Sequence, residues 1–212
     1  MIVLELAPKE RPILFSAPMV RALLAGTKTQ TRRIFKIRGP MGNLCQIDCP
    51  EEEIVRFDDG SFHYLSTSAM SGPYPCPYGE PRDRLWVREA WRVAACYDDK
   101  SGAELEGIIT ARNVQYSVCA DQFLHGMAIG RYRHARFMPR WASRITLEIT
   151  NVRVERLQEI SKKDAEAEGV APWRDEKIAH VAMYRELWEQ INGSGSWDAN
   201  PFVWVIEFRR AA

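Results

Sequence analysis

The chain has 212 residues, 46% of them hydrophobic and 27% charged, enough for one large domain that buries a core without disulfide or metal staples. Its 29 Lys and Arg against 28 Asp and Glu leave a net charge of +1, which excludes a general polyelectrolyte attraction to nucleic acid and leaves room only for a local basic surface. No apolar run approaches the roughly 18 residues of a membrane span, and MIVLELAPKERP lacks the basic start, sustained apolar stretch and cleavage site of a secretory signal. A soluble, cytoplasmic protein with no membrane association is expected.

Ile13 to Phe15 is a short apolar strand candidate. Ser16 followed by Pro18 reads as an N-cap with proline in the first turn, so a helix is predicted from about Ala17. Met19, Val20, Leu23 and Leu24 recur at helical spacing, and Gly26 sits where a left-handed cap ends the helix. From Thr29 to Ile34 the threonines and the branched end favour extended chain.

Residues 39–81 mix Gly, Pro, Cys and acidic residues, with a hairpin signal at Asp59-Gly60, and are predicted to be an insertion. DRLWVREAW is a firm strand, with Leu85 and Val87 on one face and Trp86 and Arg88 on the other. A second irregular insertion is predicted over 96–140. In RITLEITNVRVERL, Ile145, Leu147 and Ile149 share a face, and Val152 and Val154 continue after a register break at Thr150-Asn151.

Ser161 with Asp164 resembles a capping box that opens a short helix through Ala165, Ala167 and Glu168, ended by Gly169. A longer helix is predicted from about Glu176 to Asn192, with an apolar stripe of Ile178, Val181, Leu187, Trp188 and Ile191. Phe202, Trp204, Ile206 and Phe208 alternate with Val203, Val205 and Glu207 in the last strand. Strands interleaved with few helices, without regular βαβ spacing, imply an α+β protein with a mixed, barrel-like sheet carrying helices. No internal repeat interrupts what reads as a single domain over 1–212.

Usual catalytic signatures are missing: Gly26-Thr27-Lys28-Thr29 has the glycine and the elements of a phosphate loop in the wrong order, and no GxSxG or HExxH occurs. AGTKTQTRR packs three cations and three threonines into nine residues. Lys28 offers an amine that loses its proton if desolvated, close to the Thr31 hydroxyl, which needs a base to become nucleophilic. Residues three apart face opposite sides of a regular strand, so the two share a pocket only if Lys28 lies before the strand or a bulge intervenes; a solvated basic turn is the plainer reading.

GRYRHARFMPRWASR, Gly130 to Arg144, holds five arginines and no acid. Arg131, Arg133, Arg136 and Arg140 with Tyr132 and Trp141 suit phosphate contact and base stacking on a single-stranded nucleic acid. The alternative is a loop whose aromatics enter the core while its arginines pair with Glu51 to Glu53 or other acids.

The five cysteines are odd in number and irregularly spaced, which fits reduced thiols and no disulfide framework. Cys45, Cys49, His63 and Cys76 offer the donors of a Cys3His zinc site without its paired CxxC knuckle, so ordinary thiols and no metal or cofactor are expected. His63, His125, His134 and His180 are scattered and read as surface or satisfied histidines. Trp86, Trp91, Trp188 and Trp204 read as core.

Taken together, LLAGTKTQTRR, DRLWVREAW, DAEAEGV and the final WVIEF resemble, in order and rough spacing, the ASCH domain of the PUA-like superfamily, which is linked to RNA. The resemblance covers about 13–38, 81–92 and 142–209. It implies a PUA-like β-barrel with flanking helices, the two insertions being like those of longer, phage-associated members. The small N4-acetylcytidine amidohydrolases of this family use a lysine and a threonine in a GxKTxTxR segment and a glutamate in the short helix before the last strands. Matching residue by residue implies Lys28 as general base, Thr31 as nucleophile and Glu168 as the group that positions Lys28 or handles the proton. The implied partner is a modified nucleoside or a single-stranded nucleic acid; ribonuclease activity also has precedent in the family. One departure is Arg82-Asp83, where the family usually has Gly-Asp: either that turn needs a positive φ and arginine there costs roughly 1 kcal/mol, or the turn has another shape.

Overall fold

The computed structural model describes residues 7–38, 44–46, 53–56, 62–66, 69–118, 127–170 and 180–211. In chain order the elements are β1 (Glu10–Leu14), α1 (Ala17–Leu24), β2 (Gln30–Ile34), β3 (Lys36–Arg38), β4 (Leu44–Gln46), β5 (Glu53–Arg56), β6 (Phe62–Ser66), β7 (Ala69–Tyr74), β8 (Arg84–Arg88), β9 (Trp91–Arg92), β10 (Gln115–Tyr116), β11 (Thr146–Arg156), α2 (Lys162–Ala167), α3 (His180–Asn192) and β12 (Phe202–Arg210). The class is α+β, sheet-rich with few helices. The contacts divide the chain into two units, one of Met1–Gly26, Arg82–Ile149 and Arg209–Ala212, the other of Thr27–Pro81 and Thr150–Phe208.

In the first unit β8 pairs parallel with β1 and antiparallel with the start of β11, giving the order β1-β8-β11. Leu85 and Val87 are buried as their alternation requires. Trp86 on the opposite face is buried too, with the Arg88 guanidinium 4.6 Å over its ring. α1 begins at Ala17 behind Ser16 and ends at Leu24, and Gly26 takes φ +75°. The Arg82-Asp83 turn has the positive φ that the departure from the family pattern raised: Arg82 sits at +81°. Its N–H donates to the Ile149 carbonyl at 2.9 Å, and the Asp83 carboxylate accepts from the Lys9 N–H at 2.9 Å and from Arg11 at 2.6 Å.

The predicted insertion over 96–140 brings its own apolar cluster to the β9–β10 pair. Leu105, Val114, Tyr116 and Met138 are buried with Trp91, Val93 and Ala142. Short 3-10 turns at Ala95–Tyr97, Ala111–Asn113, Ala135–Phe137 and Arg140–Ala142 carry the chain between them. Scattered hydrophobic residues without a period build a core here because turns, not strands, present them.

In the second unit the order is β11-β12-β2, with β12 antiparallel to β2 and Val205 opposite Arg32, Ile206 opposite Thr31. β12 is apolar on both faces and buried on both. Val203 and Val205 join Leu157, Ile160, Ala165, Tyr184, Trp188 and Trp197. Trp204 packs its ring 4.7 Å from Phe35 and 4.9 Å, edge on, from Phe62. The insertion over 39–81 contributes β4, which pairs antiparallel with β3 just ahead of it, and the meander β5-β6-β7. The Asp59-Gly60 turn lies outside the described residues, but β5 and β6 on either side of it pair antiparallel.

Along β11 the buried positions shift from Leu147 and Ile149 to Val152, the change of phase expected at Thr150-Asn151. The capping box at Ser161 is present: the Asp164 N–H donates to Ser161 Oγ at 3.1 Å, and the Ser161 N–H to Asp164 Oδ2 at 3.2 Å. α3 is described from His180, so Ile178 and the predicted start lie outside the described residues. Its buried residues are Tyr184 and Trp188, one turn apart. Ile191, predicted on the apolar stripe, is instead 51% exposed, because the last turn of α3 runs past the apolar cluster, whose final member on this helix is Trp188.

Candidate active site

Backbone pairing sets the site before any side chain acts. Lys28 lies ahead of β2 and forms an isolated antiparallel bridge with Glu168, the C-cap residue of α2. The Thr29 N–H donates to the Ala167 carbonyl at 2.8 Å, and the Phe208 N–H to the Thr29 carbonyl at 2.9 Å. The extended segment between Gly26 and β2 is therefore stitched to the end of α2 on one side and to β12 on the other.

Within that frame Lys28 Nζ donates to Glu168 Oε2 at 2.7 Å and to the Glu168 carbonyl at 2.8 Å. The Lys28 side chain is fully buried and that of Glu168 is 2% exposed. A cation at the last carbonyls of a helix also meets their partial negative charge. Burial, the largest influence, pushes the Lys28 ammonium below its ordinary value; the Glu168 charge and hydrogen bond pull it up, and Arg33 and Arg32 push it further down.

Gln30 and Arg32 follow on the same alternation as Lys28 and are buried, whereas Thr29 is exposed. The Arg32 guanidinium is entirely buried. It donates to Glu155 Oε1 through Nη2, which also lies 3.6 Å from Asp164 Oδ2, while Nη1 lies 3.8 Å from Glu168 Oε1. Arg153 closes the network, donating to Glu155 Oε2 and Asp164 Oδ1 at 3.0 Å each and to Glu207 Oε1. The Gln30 amide, oriented to satisfy both neighbours, donates to Asp164 Oδ1 at 3.0 Å and accepts from Arg32. Burial raises the Asp164 carboxyl, but the Ser161 bonds and the charges of Arg32 and Arg153 outweigh it and hold the group below its ordinary value. Tyr184 from α3 is buried beside this network, with Arg32 6.0 Å from its ring centre. Burial first, then the Glu168 charge, pushes its phenol well above the ordinary value. A side-chain hydrogen bond to Glu168 adds to that rise, and Glu168 Oε1 is buried.

The structure thus joins Lys28 and Glu168 directly. Thr31 is buried in β2 opposite Ile206, on the face that alternation gives to Arg33 rather than to Gln30 and Arg32. Sequence reading missed Arg32, Gln30, Arg153, Glu155, Asp164, Glu207 and Tyr184. The one local signal was the two-residue spacing of Lys28, Gln30 and Arg32, which places three polar side chains on one face of a buried strand.

The residues of the arginine-rich run separate into two sets. Arg133 is buried, donating to the Lys100 and Tyr97 carbonyls at 2.8 Å each under the Trp91 ring. Arg140 donates to both Glu10 oxygens, at 2.8 and 3.2 Å, and Arg144 to both Glu89 oxygens, at 2.9 and 3.0 Å. Trp141 is half-buried against Trp91 and donates to the Gly102 carbonyl at 2.9 Å. Arg131 and Arg136 are exposed, and so are Tyr132 at 54% and Phe137 at 71%. His134 accepts from the Arg136 N–H at 3.1 Å and His180 lies 3.5 Å from Glu166; His125 lies outside the described residues.

Of the four residues weighed for zinc, Cys49 and the side chain of Cys45 lie outside what is described, His63 is half-buried and Cys76 is buried. All four tryptophans read as core, Trp86, Trp91, Trp188 and Trp204, are buried. Compared with models of protein families, with curated proteins and with solved structures, the chain matches none.

Proposed function

We propose that this chain is a PUA-like ASCH protein, with a barrel-type sheet, that recognises a nucleobase in RNA or a nucleoside and hydrolyses the exocyclic amide of N4-acylated cytidine. The observation that carries the reading is the buried pairing of Lys28 with Glu168, 140 residues away in sequence and 2.7 Å away in space. A lysine whose ammonium is disfavoured by burial gives up its proton more readily than a solvated one, which is what a general base requires.

In this mechanism the Lys28 amine takes the Thr31 hydroxyl proton as Thr31 Oγ1 bonds to the acyl carbon. The tetrahedral adduct then breaks its bond to N4, and the Lys28 ammonium returns the proton to the departing cytidine nitrogen. Water hydrolyses the acyl-threonine ester, releasing a carboxylate and restoring the hydroxyl. Glu168 holds Lys28 in place throughout. Lys28 lies ahead of β2 while Thr31 sits within it, on the alternation opposite Gln30 and Arg32, so this step requires the Lys28 amine to reach Thr31 Oγ1 around the start of the strand.

The test is deacylation of N4-acetylcytidine and related N4-acylcytidines. Turnover is expected in the wild type, rising with pH through a value below 10.5, and lost by at least ~10²-fold in Lys28→Met and in the isosteric Thr31→Val. No turnover in the wild type, or wild-type turnover in either variant with folding checked by circular dichroism, overturns the mechanism.

A second reading, a single-stranded nucleic-acid-binding module without catalysis, is favoured by exposed Tyr132 and Phe137 beside exposed Arg131 and Arg136, which form no ion pair among the described residues. It expects affinity for an oligonucleotide to fall with salt at a slope near −0.7 per neutralised phosphate. Binding that ignores salt rejects it.

A further inference from the structure

We propose that Arg32 is a positioning residue for the Lys28–Glu168 pair: it is the second cation that seats the Glu168 carboxylate while Lys28 gives up and regains its proton. This rests on the reading of Lys28 as a base. The geometry is that of one carboxylate shared between two cations. Glu168 Oε2 accepts from Lys28 Nζ at 2.7 Å, Oε1 faces Arg32 Nη1 at 3.8 Å, and the Tyr184 hydroxyl is within hydrogen-bonding reach of the same carboxylate. If Lys28 were the sole cation beside it, loss of its proton would leave a buried carboxylate with no opposite charge to hold it in place. Arg32 cannot lose its own charge, so it remains when Lys28 is neutral.

Arg32 in turn is fixed by acids on β11 and α2. Glu155 and Asp164 hold Nη2, and Arg153 binds both of those acids as well as Glu207. The charged and titratable groups around the pair are therefore Arg32 and Arg33 from β2, Asp164 and Glu168 from α2 and its cap, Arg153 and Glu155 from β11, Glu207 from β12 and Tyr184 from α3. Removing the Arg32 charge takes a cation away from Lys28 and leaves Glu155 and Asp164 less neutralised. Both changes favour the Lys28 ammonium, so they act in one direction.

The measurement is the titration of Lys28 followed by NMR in protein carrying 15Nζ-labelled lysine, with the resonance assigned by its loss in Lys28→Met. Arg32→Gln should raise the pH at which Lys28 loses its proton, so that at a given pH below that point the amine fraction falls by roughly tenfold. Arg32→Lys, which keeps the charge without the fork, should titrate close to wild type. Should Arg32→Gln not fold, the double variant Arg32→Gln with Glu155→Gln carries the same expectation at smaller size. A Lys28 titration unchanged by loss of the Arg32 charge, or shifted equally in Arg32→Lys, overturns the proposal. Because this readout needs no substrate, it stands apart from the deacylation assay. If N4-acylcytidines are turned over, the pH profile of kcat/KM should move with the NMR titration, whereas loss of fold alone would lower activity at every pH.

Discussion

At Lys28 one side chain carries both a structural and a chemical load. It is buried against the Glu168 carboxylate, so Lys28→Met leaves Glu168 without its nearest cation. Breaking a buried pair from one side typically costs about 3–5 kcal/mol. Adding Glu168→Gln should restore much of that loss, and urea unfolding of the two single variants and the double measures the coupling. No recovery in the double variant would place the loss in packing instead of charge. The pH dependence has a defined sign. The unfolded lysine keeps its proton up to about 10.5 and the folded one releases it earlier, so between those values the unfolded chain binds more protons and the Lys28 contribution to stability rises with pH. Asp164 is held below its ordinary value, so its contribution is present above about 3.8 and is lost as pH falls through its folded value.

Among the elements, the ones legible in the sequence are those whose signal is local. Ser16 and Pro18 marked α1, Ser161 with Asp164 marked α2, and Leu85 with Val87 marked β8, because caps and alternation act over a few residues. At Arg82 the departure from Gly-Asp left two turn shapes open, and the turn is the left-handed one. Arg82→Gly should stabilise the protein by about 0.5–1 kcal/mol, the relief of the left-handed side chain less the added chain entropy, and thermal unfolding would reveal a loss instead if the arginine side chain matters more. The 96–140 insertion was legible only as irregular. Its order depends on close approaches that no pattern announces, such as Gly130, where a Cβ would stand 2.5 Å from Asp98 Oδ1 and 2.7 Å from the Val93 carbonyl. Gly130→Ala should cost about 1–3 kcal/mol and loosen the Arg131 N–H, which donates to the same Asp98; amide exchange at Arg131 reads this directly. Unchanged exchange and stability would mean that the backbone gives way there.

Across the whole molecule, the site was legible as residue types and not as a network. Lys28, Thr31 and Glu168 came from a resemblance, while Arg32, Arg153 and Glu207 answer to partners on β11, α2 and β12 that only the fold brings together. Arg133 shows the same limit in reverse: an arginine in an acid-free run reads as a phosphate contact, yet its guanidinium is committed to the Lys100 and Tyr97 carbonyls. Neither unit is a single stretch of chain, and the second is assembled from Thr27–Pro81 and Thr150–Phe208. β2 emerges from the ribosome long before β12, the strand it pairs with, and Lys28 before Glu168. Until Phe202 and its successors are made, β2 is an open edge bearing charged side chains bound for burial. Domains generally fold as units during synthesis, so completion of this one waits on a late strand, and a nascent chain stalled before it offers chaperones the same edge that the finished protein hides.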